Sequence, residues 1–471
     1  MEFRIESDSV GEKKVPKNAY YGVQTLRGCE NFRITGRTMN TQFIRSLAEI
    51  KKAAAITNCE VGLLDEKVKN AIVEACDEII SGKLHECFIV DPIQGGAGTS
   101  ANMNINEVVA NRASEILGGE KGVYDIVHPN DHVNMGQSTN DVIPTAGKIT
   151  TLNLLVRAIS KLKELEKALE DKAKEFDDVI KMGRTQMQDA VPIRLGQEFR
   201  AYSTAIKRDI NRLEKVESEA RVVNMGGTAI GTGINADEEY FKKIVPNLDK
   251  VTGLNLVQAE DLVDCTQNLD PIVAISGTIK TCAVNLSKMC NDLRLMSSGP
   301  RTGFGEINLP AKQNGSSIMP GKVNPVIPEV ISQIAFNIIG NDMTITMAAE
   351  AGQLELNAFE PVIFYNLFES LDTLAHGVDT LTRNCIVGIT ANKERCETLL
   401  ESSVGIITAI CPHVGYKEAA KIAKKAIKTG EPVRKIAMEE GVFDEKELNE
   451  ILDPIEMTEP GISAKELIHN K

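Results

Sequence analysis

Four segments of the 471-residue chain gather hydroxyls and primary amides beside Gly or Pro, away from any apolar periodicity. The first is Gly98-Thr99-Ser100-Ala101-Asn102-Met103-Asn104, continuing through Asn106 and Glu107 to Asn111. The second opens at His128-Pro129-Asn130-Asp131-His132-Val133-Asn134 and runs into Gln137-Ser138-Thr139-Asn140-Asp141. The third is Gly183-Arg184-Thr185-Gln186-Met187-Gln188-Asp189-Ala190, and the fourth Gly315-Ser316-Ser317-Ile318-Met319-Pro320-Gly321-Lys322-Val323-Asn324-Pro325. Taken singly, such residues cap helices and close turns by bonding the backbone, and that role is expected for Asn134, Asp141 and Asp189. Four segments of this density exceed what capping requires. Together they supply many neutral donors, which suits a site that receives an anion and stabilises negative charge as it develops. Lys322 sits between Gly321 and Asn324-Pro325, in a rigid loop and off any helix face, and reads as a carboxylate anchor.

Other chemistries find little support. Gly96 to Ala101 and Gly231 to Ala236 both fit G-x-G-x-x-A. Neither is expected in the strand-turn-helix unit, followed by a second parallel strand, that a dinucleotide site needs. Gly315 to Lys322 has the wrong glycine spacing for a phosphate loop, and Val323 stands where a magnesium-binding hydroxyl is required. No HExxH motif occurs, and Pro129 and Asn130 are expected to keep His128 and His132 off a common helix face, so no metal site is expected. A G-x-S-x-G elbow is also absent.

The elements that must carry these segments are long helices. From Leu152 the apolar residues recur three and four apart through Leu155, Ile159, Leu162, Leu169, Ala173 and Phe176. A second stripe runs from Phe199 to Val223, and others follow Pro271, Pro328 and Pro361. Five segments of this length point to a bundle or an oligomeric helical core. Strand-like alternation is confined to Phe3–Ile5 and Phe32–Ile34. The pattern divides the chain into an N-terminal, mostly helical domain over 1–140, a helix-bundle domain over 141–393 and a small helical domain over 394–471.

Composition narrows the partners. A net charge of −13, no Trp and few aromatics leave neither the basic stripe nor the stacking platform of a nucleic-acid binder. No uncharged stretch exceeds 15 residues, too short for a membrane span. Met1 to Tyr21 contains no apolar core of a secretory signal. Ten cysteines without a CxxC pair read as reduced thiols, and the expected compartment is the cytoplasm.

The run Gly315-Ser316-Ser317-Ile318-Met319-Pro320-Gly321-Lys322-Val323-Asn324-Pro325 resembles the signature loop of the aspartase/fumarase superfamily. The other three clusters resemble family segments in family order, and the resemblance extends from Tyr20 to the C-terminal region. It implies a mainly α, three-domain subunit whose central helices form a twenty-helix core in a homotetramer, with each active site assembled from three subunits. Gln186 stands where fumarases have His, and three further segments, Asn130-Asp131-His132-Val133, Gln137-Ser138-Thr139-Asn140 and the run from Ala351 to Ile363, are similar to the aspartate ammonia-lyase branch. The resemblance therefore implies a carbon-nitrogen lyase that reversibly eliminates ammonia from L-aspartate to give fumarate. The alternatives are a fumarate hydratase of the same superfamily and a catalytically silent bundle protein.

The resemblance also assigns roles. Ser316 would be the base, as an alkoxide. Thr99, Ser138, Thr139 and Ser317 would donate to an enolate-like dianion, each such donor contributing about 3 to 4 kcal/mol. Lys322 and Asn324, with Thr185, would hold the α-carboxylate. Thr99, Asn140 and Gln186 would contact the amino group, and Glu329 would fix Gln186. No cofactor is implied for the chemistry, with a divalent cation such as Mg2+ only as an activator. His128, Asn130 and Asp131 match a secondary anion site in fumarases.

Overall fold

The computed structural model describes residues 2–468. It is mostly helical, and the five long helices expected from the apolar stripes form as Thr139–Glu175, Leu195–Arg221, Asp270–Met296, Val326–Glu350 and Glu360–Asn384. The first begins earlier than its stripe, because the second polar cluster supplies its opening turn. The chain divides into two compact units, one of Met1–Ser160, Asn211–Ala283 and Ala335–Ala375, the other of Lys161–Ile210, Val284–Ile334 and His376–Lys471.

In the first unit the Thr41–Glu60 helix packs against Glu66–Ile80 and Glu238–Thr252, and Glu66–Ile80 against Thr99–Ile116. Leu47, Ile50, Ala54, Ile72, Ile79, Ile105 and Val109 are buried at these seams. Phe43, Phe364 and Phe368 stack nearby, and a side chain at Gly147 would meet the Phe364 ring at 2.1 Å, so glycine lets the two long helices approach closely. The N-terminal hairpin Phe3–Asp8/Gly11–Pro16 leads to a segment fastened by two buried carboxylates, of which Glu6 accepts from the Val23 amide at 2.9 Å. Glu107 accepts from the amides of Gly22 (2.8 Å), Gln24 (2.9 Å) and Thr25 (3.1 Å) and from the Thr25 hydroxyl (2.5 Å).

Phe32–Ile34 does not form the expected strand. The carboxylate of Asp91 takes the amides of Ile34 (3.0 Å), Thr35 (2.7 Å) and Gly36 (3.2 Å), so a side chain satisfies the donors that a neighbouring strand would have taken. A short βαβ unit, not expected from the sequence, does form: Val222–Val223 pairs in parallel with Val257–Gln258 across the Glu238–Thr252 helix. Gly231 to Ala236 lies inside it, yet it makes no dinucleotide site. Asp237 already fills the helix N-terminus, accepting from Glu239 and Tyr240, and a side chain at Gly231 would lie 2.4 Å from the Val263 nitrogen.

In the second unit the antiparallel hairpin Ile180–Thr185/Gln188–Arg194 carries the third polar cluster. Met182, from its inner face, joins a core of Leu400, Ile406, Ile410, Ile422, Val433, Ile436, Leu448 and Ile451, which belong to the short C-terminal helices. Among the described residues no helix is long and apolar enough to cross a membrane.

Replacing Glu107 by Gln turns one acceptor oxygen into a donor facing backbone N–H groups. This should cost about 2–3 kcal/mol, seen as a lower thermal unfolding midpoint with the helical circular dichroism of the folded state unchanged.

Candidate active site

In the first unit the donors stand at the heads of two helices. The chain reaches Thr99 through Gly96, Ala97 and Gly98, all at positive φ (84°, 54° and 89°). A side chain at Gly98 would also meet Ile143 at 2.9 Å, so both conformation and fit require glycine there. Thr99 is exposed, and its hydroxyl donates to the Gly96 carbonyl at 2.8 Å. One turn below, the buried Asn102 donates to Asn134 Oδ1 (3.1 Å) and to Thr139 Oγ1 (3.3 Å), tying the Thr99 helix to the second cluster.

Ser138, Thr139 and Asn140 are half-buried where the Thr139–Glu175 helix begins. Asp141, fully buried, accepts from the amides of Ser138 (2.9 Å), Gly226 (3.1 Å) and Thr228 (3.1 Å). Burial pushes its carboxyl up to about 6 against the pull of these amides. Pro144 has no N–H for the Asn140 carbonyl four residues back, and Asn224 donates to that carbonyl at 3.0 Å. The Asn140 side chain in turn donates to Ala229 O at 2.7 Å. The expected capping role holds for Asp141, which turns three amides toward one carboxylate. Asn134 is more than a cap: its Oδ1 receives Lys51, Asn102 and Asn106.

His132 lies in the π-helical turn Pro129–Val133 and His128, in extended conformation, caps it, so the two residues meet at one turn where the sequence pattern sets them apart. Their Nδ1 atoms face the backbone: His128 accepts from Asn130 (3.2 Å) and Asp131 (3.1 Å), and His132 from the His128 amide (2.8 Å). Among the described residues no cluster of three or more His, Cys, Asp or Glu could hold a metal ion.

In the second unit Gln186 and Met187 form the two-residue tip of the hairpin, at φ 54° and 62°. Asn-Gly is the usual solution for such a turn, so two long side chains are held here against their preference. Thr185 and Gln186 are both exposed. Arg184, beside them, donates to Glu306 Oε1 at 2.7 Å and lies 4.2 Å from the centre of the Phe304 ring. Glu306, fully buried, also pairs with Lys181 at 3.0 Å, which fastens the hairpin to the 304–308 segment. Asp189 takes the Ser403 hydroxyl at 2.8 Å.

The fourth cluster is a closed loop. Gly315 N donates to Lys322 O (2.9 Å) and the Asn324 side chain to Gly315 O (2.6 Å). A side chain at Gly315 would sit 2.3 Å from the Lys322 carbonyl oxygen, so only glycine permits the closure. Within the loop the amides of Ile318 (3.2 Å) and Met319 (3.0 Å) both point at Ser316 Oγ. Two donors aimed at one oxygen favour its deprotonated form. Ser317 and Lys322 are exposed, and Lys322, Asn324 and Glu329 line a cavity of about 800 Å3 together with Arg294, Ser298 and Asn308. No hydrogen bond joins Glu329 to Gln186 within the chain among the described residues.

Residues 11–340 match the lyase family model, and residues 406–459 the model of the fumarase C C-terminus. The chain belongs to the fumarase/aspartase superfamily. It is 55% identical to the aspartate ammonia-lyase of Bacillus subtilis, covering 99% of this chain and 98% of the relative. It is 48% identical to that of Escherichia coli, over 98% and 97%. A solved structure of a Brucella melitensis fumarate lyase:delta crystallin bound to cobalt superposes with a TM-score of 0.95 at 50% identity, covering 98% of this chain and all of that one. A recombinant class II fumarase from Schistosoma mansoni gives 0.94 at 36%, with the same coverage.

Each unit thus holds part of the donor set that the superfamily resemblance implies: Thr99, Ser138, Thr139 and Asn140 in the first, Thr185, Gln186, Ser316, Ser317, Lys322, Asn324 and Glu329 in the second. Two supporting groups carry no local motif. Lys51 follows Leu47 and Ile50 on a buried helix face, and Glu306 follows the turn that holds Gly299, Gly303 and Gly305; only their burial marks them.

Met187→Gly removes a side chain from a left-handed position and loses little packing, because Met187 is 55% exposed. Denaturant unfolding should show a gain of about 0.5–1 kcal/mol.

Proposed function

We propose that this chain catalyses the reversible elimination of ammonia from L-aspartate to give fumarate, with Ser316 as base. The observation that carries the mechanism is the pair of backbone amides aimed at Ser316 Oγ, which stabilise an alkoxide. The near full-length likeness to aspartate ammonia-lyases supports the substrate.

Lys322 and Asn324, with Thr185, receive the α-carboxylate. The Ser316 alkoxide takes a proton from the carbon beside the side-chain carboxylate. The electron pair left behind moves into that carboxylate, which becomes a dianion held by Thr99, Ser138, Thr139 and Ser317. Collapse of the dianion forms the carbon-carbon double bond, and the C–N bond breaks with its electrons going to nitrogen. The substrate ammonium leaves as neutral ammonia and Ser316 keeps the proton, so charge and atoms balance. Gln186 and Asn140 contact the departing nitrogen. A neutral amide suffices, because ammonia leaves from an already protonated amine, whereas expelling hydroxide needs an acid. The steps draw on protein groups alone, and Mg2+ enters the reading only as an activator.

The same reading includes a homotetramer of three-domain subunits, divided near 140 and 393, with each site shared among subunits so that Glu329 of one chain steadies Gln186 of another. An exposed stripe on the Val326–Glu350 helix supports it: Phe336, Ile339, Met343 and Met347 lie three and four residues apart, and three of them are more than 60% exposed. The ten free cysteines support a reducing, cytoplasmic location.

Purified protein incubated with L-aspartate should release fumarate, followed by its ultraviolet absorbance, and equimolar ammonia. Turnover of malate without turnover of aspartate would replace this reading by a hydratase. Ser316→Ala should retain the fold and lose about 10²–10⁴-fold in kcat. Met343→Glu should yield smaller species in analytical ultracentrifugation and lose turnover with them.

A further inference from the structure

Lys51 is fully buried in the Thr41–Glu60 helix. Its ammonium donates to Asn102 Oδ1, Asn134 Oδ1 and Gln137 Oε1, each at 2.9 Å. An ammonium has three N–H bonds, and here all three end on neutral amide oxygens. The positive charge is therefore satisfied in its geometry without being cancelled by a bonded carboxylate. Asp141 is the opposing charge nearby, and it is itself occupied by three backbone amides. Burial pushes the Lys51 ammonium down to about 7, while Asp141 pulls it upward.

Each acceptor leads to a donor of the proposed site. Asn102 lies one turn below Thr99 and donates to Thr139 Oγ1. Gln137 immediately precedes Ser138, and its amide is anchored on the carbonyls of Val133 (3.0 Å) and Met135 (3.2 Å). Asn134 joins the two, receiving Asn102 and donating to Gln137 O at 3.1 Å. One cation thus gathers three side chains from two sequence clusters, immediately behind the hydroxyls.

We propose that Lys51 is a positioning residue for the elimination: it locks the Thr99 helix start and the Ser138–Asn140 turn into one receiving surface, and it sets a positive charge behind the place where the dianion forms. This rests on the reaction proposed above. It separates Lys51 from a lysine that merely holds the fold, because a positioning cation matters more to the dianion than to an ordinary dicarboxylate.

Two ligands read that difference on the full-length, assembled enzyme. Succinate has the two carboxylates alone. The nitronate of 3-nitropropionate carries its second negative charge as the enolate-like group would, and so imitates the intermediate. Lys51→Met is the direct variant. Gln137→Glu keeps the side-chain shape and places a neutralising carboxylate against the ammonium, and it decides the matter if Lys51→Met does not fold. Wild-type turnover of L-aspartate is measured first, and its absence would refute the elimination reading before Lys51 is tested. With turnover present, kcat/KM for aspartate and nitronate affinity should each fall by at least about tenfold, with succinate affinity falling several times less. A folded variant in which either quantity falls less than that, or in which nitronate and succinate weaken in parallel, would overturn the proposal.

Discussion

Two opposite charges, Lys51 and Asp141, lie wholly inside the first unit without bonding to each other, and the elements that carry the hydroxyls close around them. Asp141 draws the amides of Ser138, Gly226 and Thr228 to one point; Lys51 draws Asn102, Asn134 and Gln137 to another. An enclosed charge that lost these partners would be strongly unfavourable, so neither segment can drift without a large cost. This is how an acidic chain of net charge −13 can offer a surface to a dicarboxylate. The global sum acts at a distance and is screened by salt within about 10 Å, while the buried network sets which dipoles face the substrate.

The second unit relies on backbone closure. Gly315 lets the loop fold back onto the Lys322 carbonyl, and that closure turns the Ile318 and Met319 amides onto Ser316. The hairpin tip is the less relaxed part, since Gln186 and Met187 both take left-handed conformations. Arg184 and Lys181, paired with the buried Glu306, hold the strand that ends in this tip. Local strain is retained where the surroundings over-determine it, which is common at functional sites.

Much of this was legible from residue types and spacing. Apolar residues three and four apart mark the five long helices because a helix presents the same face on that period, whatever it packs against. The four polar clusters are legible for a related reason: hydroxyls and amides beside Gly or Pro have no place in an apolar seam. Failures came where a partner distant in sequence decided the outcome. Phe32–Ile34 alternates like a strand, but Asp91, 57 residues from Ile34, takes its amides. The Val222–Val223/Val257–Gln258 pairing is two residues long, too short to leave a period.

The sequence by itself determined the helical architecture and, through the Gly315–Pro325 loop, the superfamily, and the roles of Ser316 and Gln186 entered only as what that resemblance implies. The sequence could not show which donors point at which oxygen. The merging of the Asn102 and Gln137 segments on one lysine and the use of Asp141 as a hub for amides of Gly226 and Thr228 arise only when residues tens of positions apart meet, and even the Ser316 environment, built within its own loop, depends on how that loop closes. Hydrogen bonds are short and directional, so their pattern is set by tertiary packing, whereas the hydrophobic period that sorts residues inward or outward is written locally along the chain.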